Sequence, residues 1–248
     1  MSFDPSLVAA ATAAAFLTGL GKGGLALMGM FGVPILSFVM SPIRAAAILL
    51  PVYVFSDSIA VWLYRGQFSP RNLKILIPAG AAGIALGWAT ASRIPDRGVA
   101  IVVGVIGILF CFNSWRTRRQ PPVERQADLP QGIFWGTVMG FVSFVSHSGG
   151  APFQVYVLPQ RLPKLVYAGT NVLVFAAVNL MKIGPYWALG QLSVPNLSTS
   201  LLLMIPAFLG TQVGSYLVRV LPTRSYFAFV QLALLVVSVE LVVRALRV

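Results

Sequence analysis

The chain has 248 residues, of which 57% are apolar and only 10% are charged, and its mean hydropathy is +0.84. A water-soluble protein of this length needs about a quarter of its residues charged to cover its surface. Here, instead, apolar runs of about twenty residues recur from one end of the chain to the other. The composition therefore excludes a soluble globular protein and predicts an all-α polytopic membrane protein.

The positive charge and the single cysteine narrow the function further. A formal net charge of +12 would suggest a nucleic-acid partner in a soluble protein, but most of the 18 Lys and Arg residues stand in short loops between apolar runs. That distribution is typical of charges that orient helices across a membrane, so no nucleic-acid partner is expected. Cys111 lies inside an apolar run and the sequence has no Cys/His cluster, so no disulfide, metal site or cofactor is expected.

Ten apolar runs are predicted to form helices, at 6–21, 25–40, 43–64, 72–92, 98–115, 131–146, 150–160, 165–188, 197–218 and 225–246. Runs of about 21 or more residues are long enough to cross the roughly 30 Å of hydrocarbon, at 1.5 Å per residue. The four shorter runs form two adjacent pairs, joined by GKGG at 21–24 and by HSGG at 147–150. Each pair is predicted to form a re-entrant hairpin of half-length helices, with fully spanning hairpins as the alternative.

An internal repeat divides the chain in two. The octapeptide GQFSPRNL from Gly66 returns 124 residues later as GQLSVPNL from Gly190. A GxxxG pair recurs at a similar spacing, at Gly83 and Gly87 and again at Gly210 and Gly214. The repeats are predicted to be 1–120 and 129–248, joined by an Arg/Pro-rich linker at 121–128. Three full crossings in each half, an odd number, would make the second half inverted relative to the first.

The distribution of Lys and Arg predicts the orientation in the membrane. Placing residues 116–130 in the cytoplasm puts eleven positive side chains inside and five outside, and leaves Lys22 and Lys182 within membrane segments. The excess of positive charge on one side favours a multi-pass protein of the cell membrane with both termini outside.

Glycine-rich breaks inside a membrane leave backbone N–H and C=O groups unpaired, which is tolerated only where protein or a water-lined cavity satisfies them. Two breaks at equivalent places predict a cavity near the bilayer midplane, and helix N-termini directed into it would favour an anion. The predicted substrate-binding residues belong to these breaks and their flanks: Lys22, Gly23, Gly24, Ser146, His147, Ser148, Gly149 and Gly150. The alternative is that the glycines only allow close helix packing.

Ionisable residues at membrane depth are functional candidates by default. For Lys22 the alternative is snorkelling to an interface, and for His147 it is a neutral imidazole hydrogen-bonded in the core. Asp57 lies about 10 Å deep in its helix and is the best proton carrier, unless its carboxyl is only hydrogen-bonded within the bundle. A direct pair of Asp57 with Lys182 is not expected, because their depths differ by roughly 11 Å.

Aromatic residues near the segment ends are predicted to form an interfacial belt: Trp62, Tyr64, Tyr186 and Trp187. No nucleophile elbow, phosphate-binding loop or pair of carboxylates is present in the sequence, so an enzyme with catalytic residues is not expected.

Four stretches of this sequence resemble the sulfite exporter TauE/SafE family of membrane permeases. They are TGLGKGGLALMGMFGVPIL from Thr18, AAAILLPVYVFSDSIAVWLYRGQF from Ala45, FVSHSGGAPFQVYVLPQRLPK from Phe144, and the stretch from Thr170 to Tyr186 that contains Asn171, Asn179 and Lys182. The resemblance covers nearly the whole chain. It implies a duplicated helical permease that moves small sulfur-containing anions such as sulfite or sulfonates, often outward.

The resemblance also implies that the glycine-rich stretches around Lys22 and His147 line the transport path. Asn171, Asn179 and Lys182 are then expected to support the pocket. Together these features predict a secondary transporter that works by alternating access around a midplane anion site, without a cofactor. An anion channel and a non-transporting membrane scaffold are the alternatives.

Overall fold

A computed structural model of the chain describes residues 5–25, 28–90, 96–116, 126–146, 149–190 and 192–247. These residues form helices and no strand. The helices are α1 (Pro5–Lys22), a 3-10 helix (Met28–Phe31), α2 (Gly32–Leu36), α3 (Pro42–Leu63), α4 (Pro70–Thr90), α5 (Asp96–Arg116), α6 (Leu129–Ser146), α7 (Gly150–Val157), a second 3-10 helix (Leu158–Gln160), α8 (Lys164–Ala188), α9 (Val194–Val220) and α10 (Thr223–Arg247).

Five of the described helices, α3, α4, α8, α9 and α10, are long and apolar enough to cross a membrane. Shorter apolar stretches occupy α1, α5 and α6. In both units large apolar side chains are exposed, among them Leu109, Phe112, Leu201, Leu202 and Ile205, each at least 61% exposed. Such a surface is stable against lipid and not against water. The prediction of an all-α polytopic membrane protein is confirmed.

The two predicted hairpins differ in their second arm. The run at 25–40 does not form one half-length helix, because a 3-10 helix at Met28–Phe31 is followed by only five residues of α2. Gly29, Gly32 and Pro34 fall in this arm, and glycine and proline are the poorest helix formers. In the second hairpin α7 begins at Gly150, directly after the break, as the sequence predicts.

The helices cluster into two compact units, and each unit takes segments from both halves of the chain. The first unit contains Met1–Phe68 and Ala168–Leu221, and the second contains Ser69–Tyr167 and Pro222–Val248. In the first unit α1 packs on α9 and α3 packs on α9, while in the second α4 packs on α6 and α5 on α10. The predicted repeat pairs α1 with α6 and α9 with α4, so each unit contains the same kind of helix pair. The repeat boundaries themselves stay a prediction.

Glycine brings the helices of these pairs close together. In the first unit, a Cβ atom on Gly210 of α9 would meet the carbonyl oxygen of Phe16 in α1. In the second unit, a Cβ atom on Gly83 of α4 would meet the carbonyl oxygen of Thr137 in α6. The recurring glycine pairs therefore serve close helix packing, as small residues commonly do in membrane helices.

The variant Gly83→Ala tests this packing. Its methyl group would press on a backbone atom that cannot rotate away, so we expect a loss of about 1–3 kcal/mol in unfolding free energy. Gly98→Ala in α5 is the control, because within the described residues a Cβ atom there would meet nothing within 4 Å. Unfolding of both variants in detergent, followed by circular dichroism, measures the difference. Equal stabilities would contradict the packing role of Gly83.

Candidate functional site

The first glycine break ends α1 and fixes the backbone around it. The N–H group of Gly23 donates to the carbonyl of Gly19 at 2.8 Å, and Gly24 takes a φ of +110°. A Cβ atom on Gly24 would also lie 2.5 Å from the Tyr64 hydroxyl oxygen. Because the left-handed conformation and the close contact both exclude a side chain, only glycine fits at this position.

The Tyr64 hydroxyl donates a hydrogen bond to the carbonyl of Gly23 at 2.6 Å. This carbonyl lies just past the end of α1, where helix carbonyl groups lose their intrahelical partners. Tyr64 is fully buried and Tyr186 is 5% exposed, so neither side chain faces the lipid as a residue of an aromatic belt would. Trp62 and Trp187 are 61% and 70% exposed, as residues of a belt would be.

Lys22 and Asp57 form a buried ion pair next to this break. The Nζ atom of Lys22 lies 2.8 Å from Oδ1 of Asp57 and donates to Oδ2 at 3.0 Å. The side chains are only 13% and 4% exposed. Lys22 is also the last residue of α1, where the helix dipole favours a cation. The ammonium group further lies 5.1 Å from the ring centroid of Tyr53.

Asn179 completes the coordination of the carboxylate from α8. Its Nδ2 atom donates to Oδ2 of Asp57 at 2.7 Å, and the residue is 3% exposed. The predicted repeat makes Asp57 and Asn179 equivalent positions, 122 residues apart. Their hydrogen bond therefore joins two positions that correspond in that prediction.

Lys182 adds a second basic side chain to this group. It is 1% exposed and lies close enough to Lys22 and Asp57 to interact with both electrostatically. We refer to Lys22, Asp57, Asn179 and Lys182 as the buried charge cluster. It contains two basic side chains and one carboxyl group, so an anion would compensate its charge whenever both lysines are protonated.

Asn171, the remaining predicted pocket residue, lies in α8 and is 5% exposed. Its side-chain oxygen has no hydrogen-bond partner within the described residues. A buried amide oxygen without a partner is unfavourable in a protein core. Asn171 is thus suited to accept a hydrogen bond from a ligand or a water molecule.

The second glycine break lies in the second unit. Gly149 precedes the first turn of α7, Gly150 begins the helix, and both glycines are buried. Of the other predicted residues of this break, His147 and Ser148 lie outside the described residues, and so does the side chain of Ser146. Across the described ranges no group of three or more His, Cys, Asp or Glu side chains could hold a metal ion.

The family model for the sulfite exporter TauE/SafE family matches residues 7–241. The chain belongs to this family. The match covers nearly all of the sequence, so the resemblance of the glycine-rich stretches is confirmed. No curated protein and no solved structure matches the chain. As a member of this family with several membrane-spanning helices, the chain is a multi-pass membrane protein related to anion exporters.

A mutant cycle tests the charge cluster as a unit. Asp57→Asn removes the carboxylate that lies near both lysines, so we expect it to destabilise the protein by about 3–5 kcal/mol. Lys22→Met should destabilise it less, because Asp57 keeps Asn179 and the charge of Lys182. Adding Lys22→Met to Asp57→Asn should restore part of the loss, because it removes an uncompensated cation. Thermal unfolding of the three purified proteins measures this order, and additive losses would contradict the coupling.

Proposed function

We propose that this protein is a secondary transporter that moves a small sulfur-containing anion across the cell membrane by alternating access. Membership of the sulfite exporter family supports the class of protein and of substrate. The observation that carries the proposal is the buried charge cluster, in which two lysines lie near one carboxyl group. A buried cation without a counter-ion is strongly unfavourable, so such a cluster favours the entry of an anion.

The proposed binding residues are those of the glycine breaks. In the first unit Lys22 donates to the anion, while Gly23 and Gly24, which pack closely against Thr211 and Tyr64, shape the end of α1 at which it binds. Lys182 adds positive charge, and Asn171 and Asn179 position the polar groups around it. For the second break Ser146, His147, Ser148, Gly149 and Gly150 stay the predicted ligands.

Asp57 would make anion binding depend on a proton. Oδ1 of Asp57 lies 2.8 Å from Nζ of Lys22. An arriving anion has to compete with this carboxylate, and transfer of a proton to Asp57 removes the competitor. The neutral carboxyl group retains Asn179 as a hydrogen-bond partner. The proton and the anion would then bind together and cross the membrane together.

The orientation proposed from the positive charges places the linker at 116–130 in the cytoplasm and both termini outside. The excess of Lys and Arg in the loops on the linker side supports this arrangement. The exposed Trp62 beside Arg65, with the guanidinium 4.7 Å from the ring centroid, fits a position at a membrane interface.

Transport by purified protein in liposomes tests the proposal. Labelled sulfite should enter the vesicles in exchange for unlabelled sulfite, with a rate that saturates, and thiosulfate, sulfoacetate or taurine should compete if they share the site. Saturable counterflow distinguishes a carrier from a channel, which would show conductance without saturation. Failure to move any anion of this panel would overturn the proposed function and leave a membrane scaffold.

Substitutions at the ion pair should change anion affinity in opposite directions. Lys22→Ala removes a charge-assisted hydrogen bond, so binding should weaken by about 1.5–3 kcal/mol, or roughly 10- to 150-fold. Asp57→Asn removes the competing carboxylate, so binding should tighten. Lys74→Ala, which removes an exposed lysine of α4, serves as the control and should leave the affinity unchanged. The affinity of each variant for sulfite can be measured by calorimetry in detergent. An unchanged affinity in Lys22→Ala would show that Lys22 is not part of the site.

The role of Asp57 in proton coupling has a separate test. A pH gradient across the vesicle membrane should drive accumulation of sulfite by the unchanged protein. Asp57→Asn should abolish this response and retain exchange of sulfite for sulfite, because the amide binds no proton and still accepts the hydrogen bonds of its neighbours. Accumulation driven by a pH gradient in the variant would show that Asp57 does not carry the proton.

A further inference from the structure

Gln154 lies at the centre of the short helix α7, in the sequence GAPFQVYV. The residue is fully buried. Neither its Nε2 atom nor its Oε1 atom has a hydrogen-bond partner within the described part of the chain. A primary amide offers two donor hydrogens and one acceptor oxygen. Gln154 therefore carries a complete and unused set of hydrogen-bonding groups into the interior of the protein.

A second buried glutamine, six residues further along, shows how this chain satisfies an amide that serves the fold. Gln160 accepts from Nδ2 of Asn72 at 2.8 Å and donates to Oδ1 of Asn72 at 3.2 Å. Its Nε2 atom also donates to the carbonyl of Tyr156 at 3.2 Å. Burial of polar groups without such partners is unfavourable. Among the described residues nothing satisfies the groups of Gln154 in this way, so they are suited to bind a ligand.

The position of Gln154 connects it to the second glycine break. α7 begins at Gly150, and side chains on a helix lean toward its N-terminus, so the amide of Gln154 is carried toward the first turn. The N–H groups of Gly150 and Ala151 have no acceptor within the helix, and Pro152 has no N–H group. This end of α7 combines backbone donors with one side chain that both donates and accepts.

We infer that Gln154 determines which anions are accepted, by donating to a sulfonate or sulfite oxygen through Nε2 and accepting from a donor group of the substrate through Oε1. The inference rests on the proposed function and deepens it. Gln154 would select substrates that carry both a negative group and a hydrogen-bond donor, such as hydroxyalkanesulfonates, aminoalkanesulfonates or hydrogensulfite. Anions that only accept, such as sulfate, would leave Oε1 unpaired next to negative charge.

A matched pair of competitors isolates this donor. Isethionate and propanesulfonate have the same number of non-hydrogen atoms, and the hydroxyl group of the first replaces a methyl group of the second. Leaving one buried acceptor unpaired should favour isethionate over propanesulfonate by about 5- to 150-fold as a competitor of labelled sulfite counterflow. Gln154→Met, which keeps the length of the side chain and removes its polar atoms, should bring this ratio close to one.

Gln160→Met is the matched control, because it removes the amide that the protein itself satisfies. It should keep the preference for isethionate and lower the unfolding temperature of the substrate-free protein, since Asn72 loses its two hydrogen bonds with Gln160 and keeps only Ser69. Gln154→Met should leave the unfolding temperature unchanged or raise it, since it removes polar atoms that have no partner. We thus expect Gln154→Met to change selectivity and Gln160→Met to change stability.

The outcomes distinguish this inference from the proposed function. If the unchanged protein moves no anion of the panel, both are overturned. If it moves sulfite and does not prefer isethionate, or if Gln154→Met and Gln154→Leu keep the preference, the inference alone fails. A drop in unfolding temperature for Gln154→Met as large as that for Gln160→Met would mean that the amide has a partner within the chain, which also overturns the inference. If both Gln154 variants fail to fold, Gln154 is needed for the stability of the protein, and the inference is overturned as well.

Discussion

The ion pair between Lys22 and Asp57 connects the break at the end of α1 to the middle of α3, and Asn179 extends the connection to α8. Three helices of the first unit therefore meet at one carboxylate. In hydrocarbon a lysine that lacks a counter-charge would have to reach for the interface, at a depth-dependent cost. Asp57 allows Lys22 to stay inside, and the arrangement of these helices around the break depends on this charge balance.

The break itself is possible only because neighbouring groups take over the backbone partners that a continuous helix would supply. Tyr64 serves this purpose for the carbonyl of Gly23, and glycines on α9 let its backbone approach α1 closely. The same residues that end the helix thus also give the end a rigid environment. A binding group held in this way does not need to be reorganised when a ligand arrives, which favours tight binding.

The helices were predictable from the sequence because segments that lie in lipid have to be apolar, and long apolar runs are easy to recognise. Each of the ten apolar runs contains a helix, and most boundaries agree within a few residues. The arm at 25–40 was the exception, since hydropathy measures the environment of a segment and not its backbone conformation. The glycines and the proline of this arm carried the missing information.

The contacts between side chains were harder to predict from the sequence. Lys22 and Asp57 were each recognised as functional candidates, but they are 35 residues apart and their pairing depends on how α1 and α3 pack. The sequence predicts an interfacial position for Tyr64 and Tyr186, because aromatic residues near helix ends usually lie there. Gln154 could have been found in the sequence, as the one amide in an otherwise apolar short helix. Whether its amide had a partner could be decided only in three dimensions.

The hydrogen bond between Asp57 and Asn179 has a consequence for how such a protein can evolve. If the two halves descend from one ancestral segment, positions that correspond in both halves can touch only on the axis that relates them. Two identical subunits would place the same residue twice at this axis, and two carboxylates there would repel unless they shared a proton. Fusion of the halves into one gene frees the two positions to differ, so that one keeps the acid and the other becomes its amide partner. A symmetric homodimer would therefore not hold a single carboxylate at this axis, whereas a fused chain can.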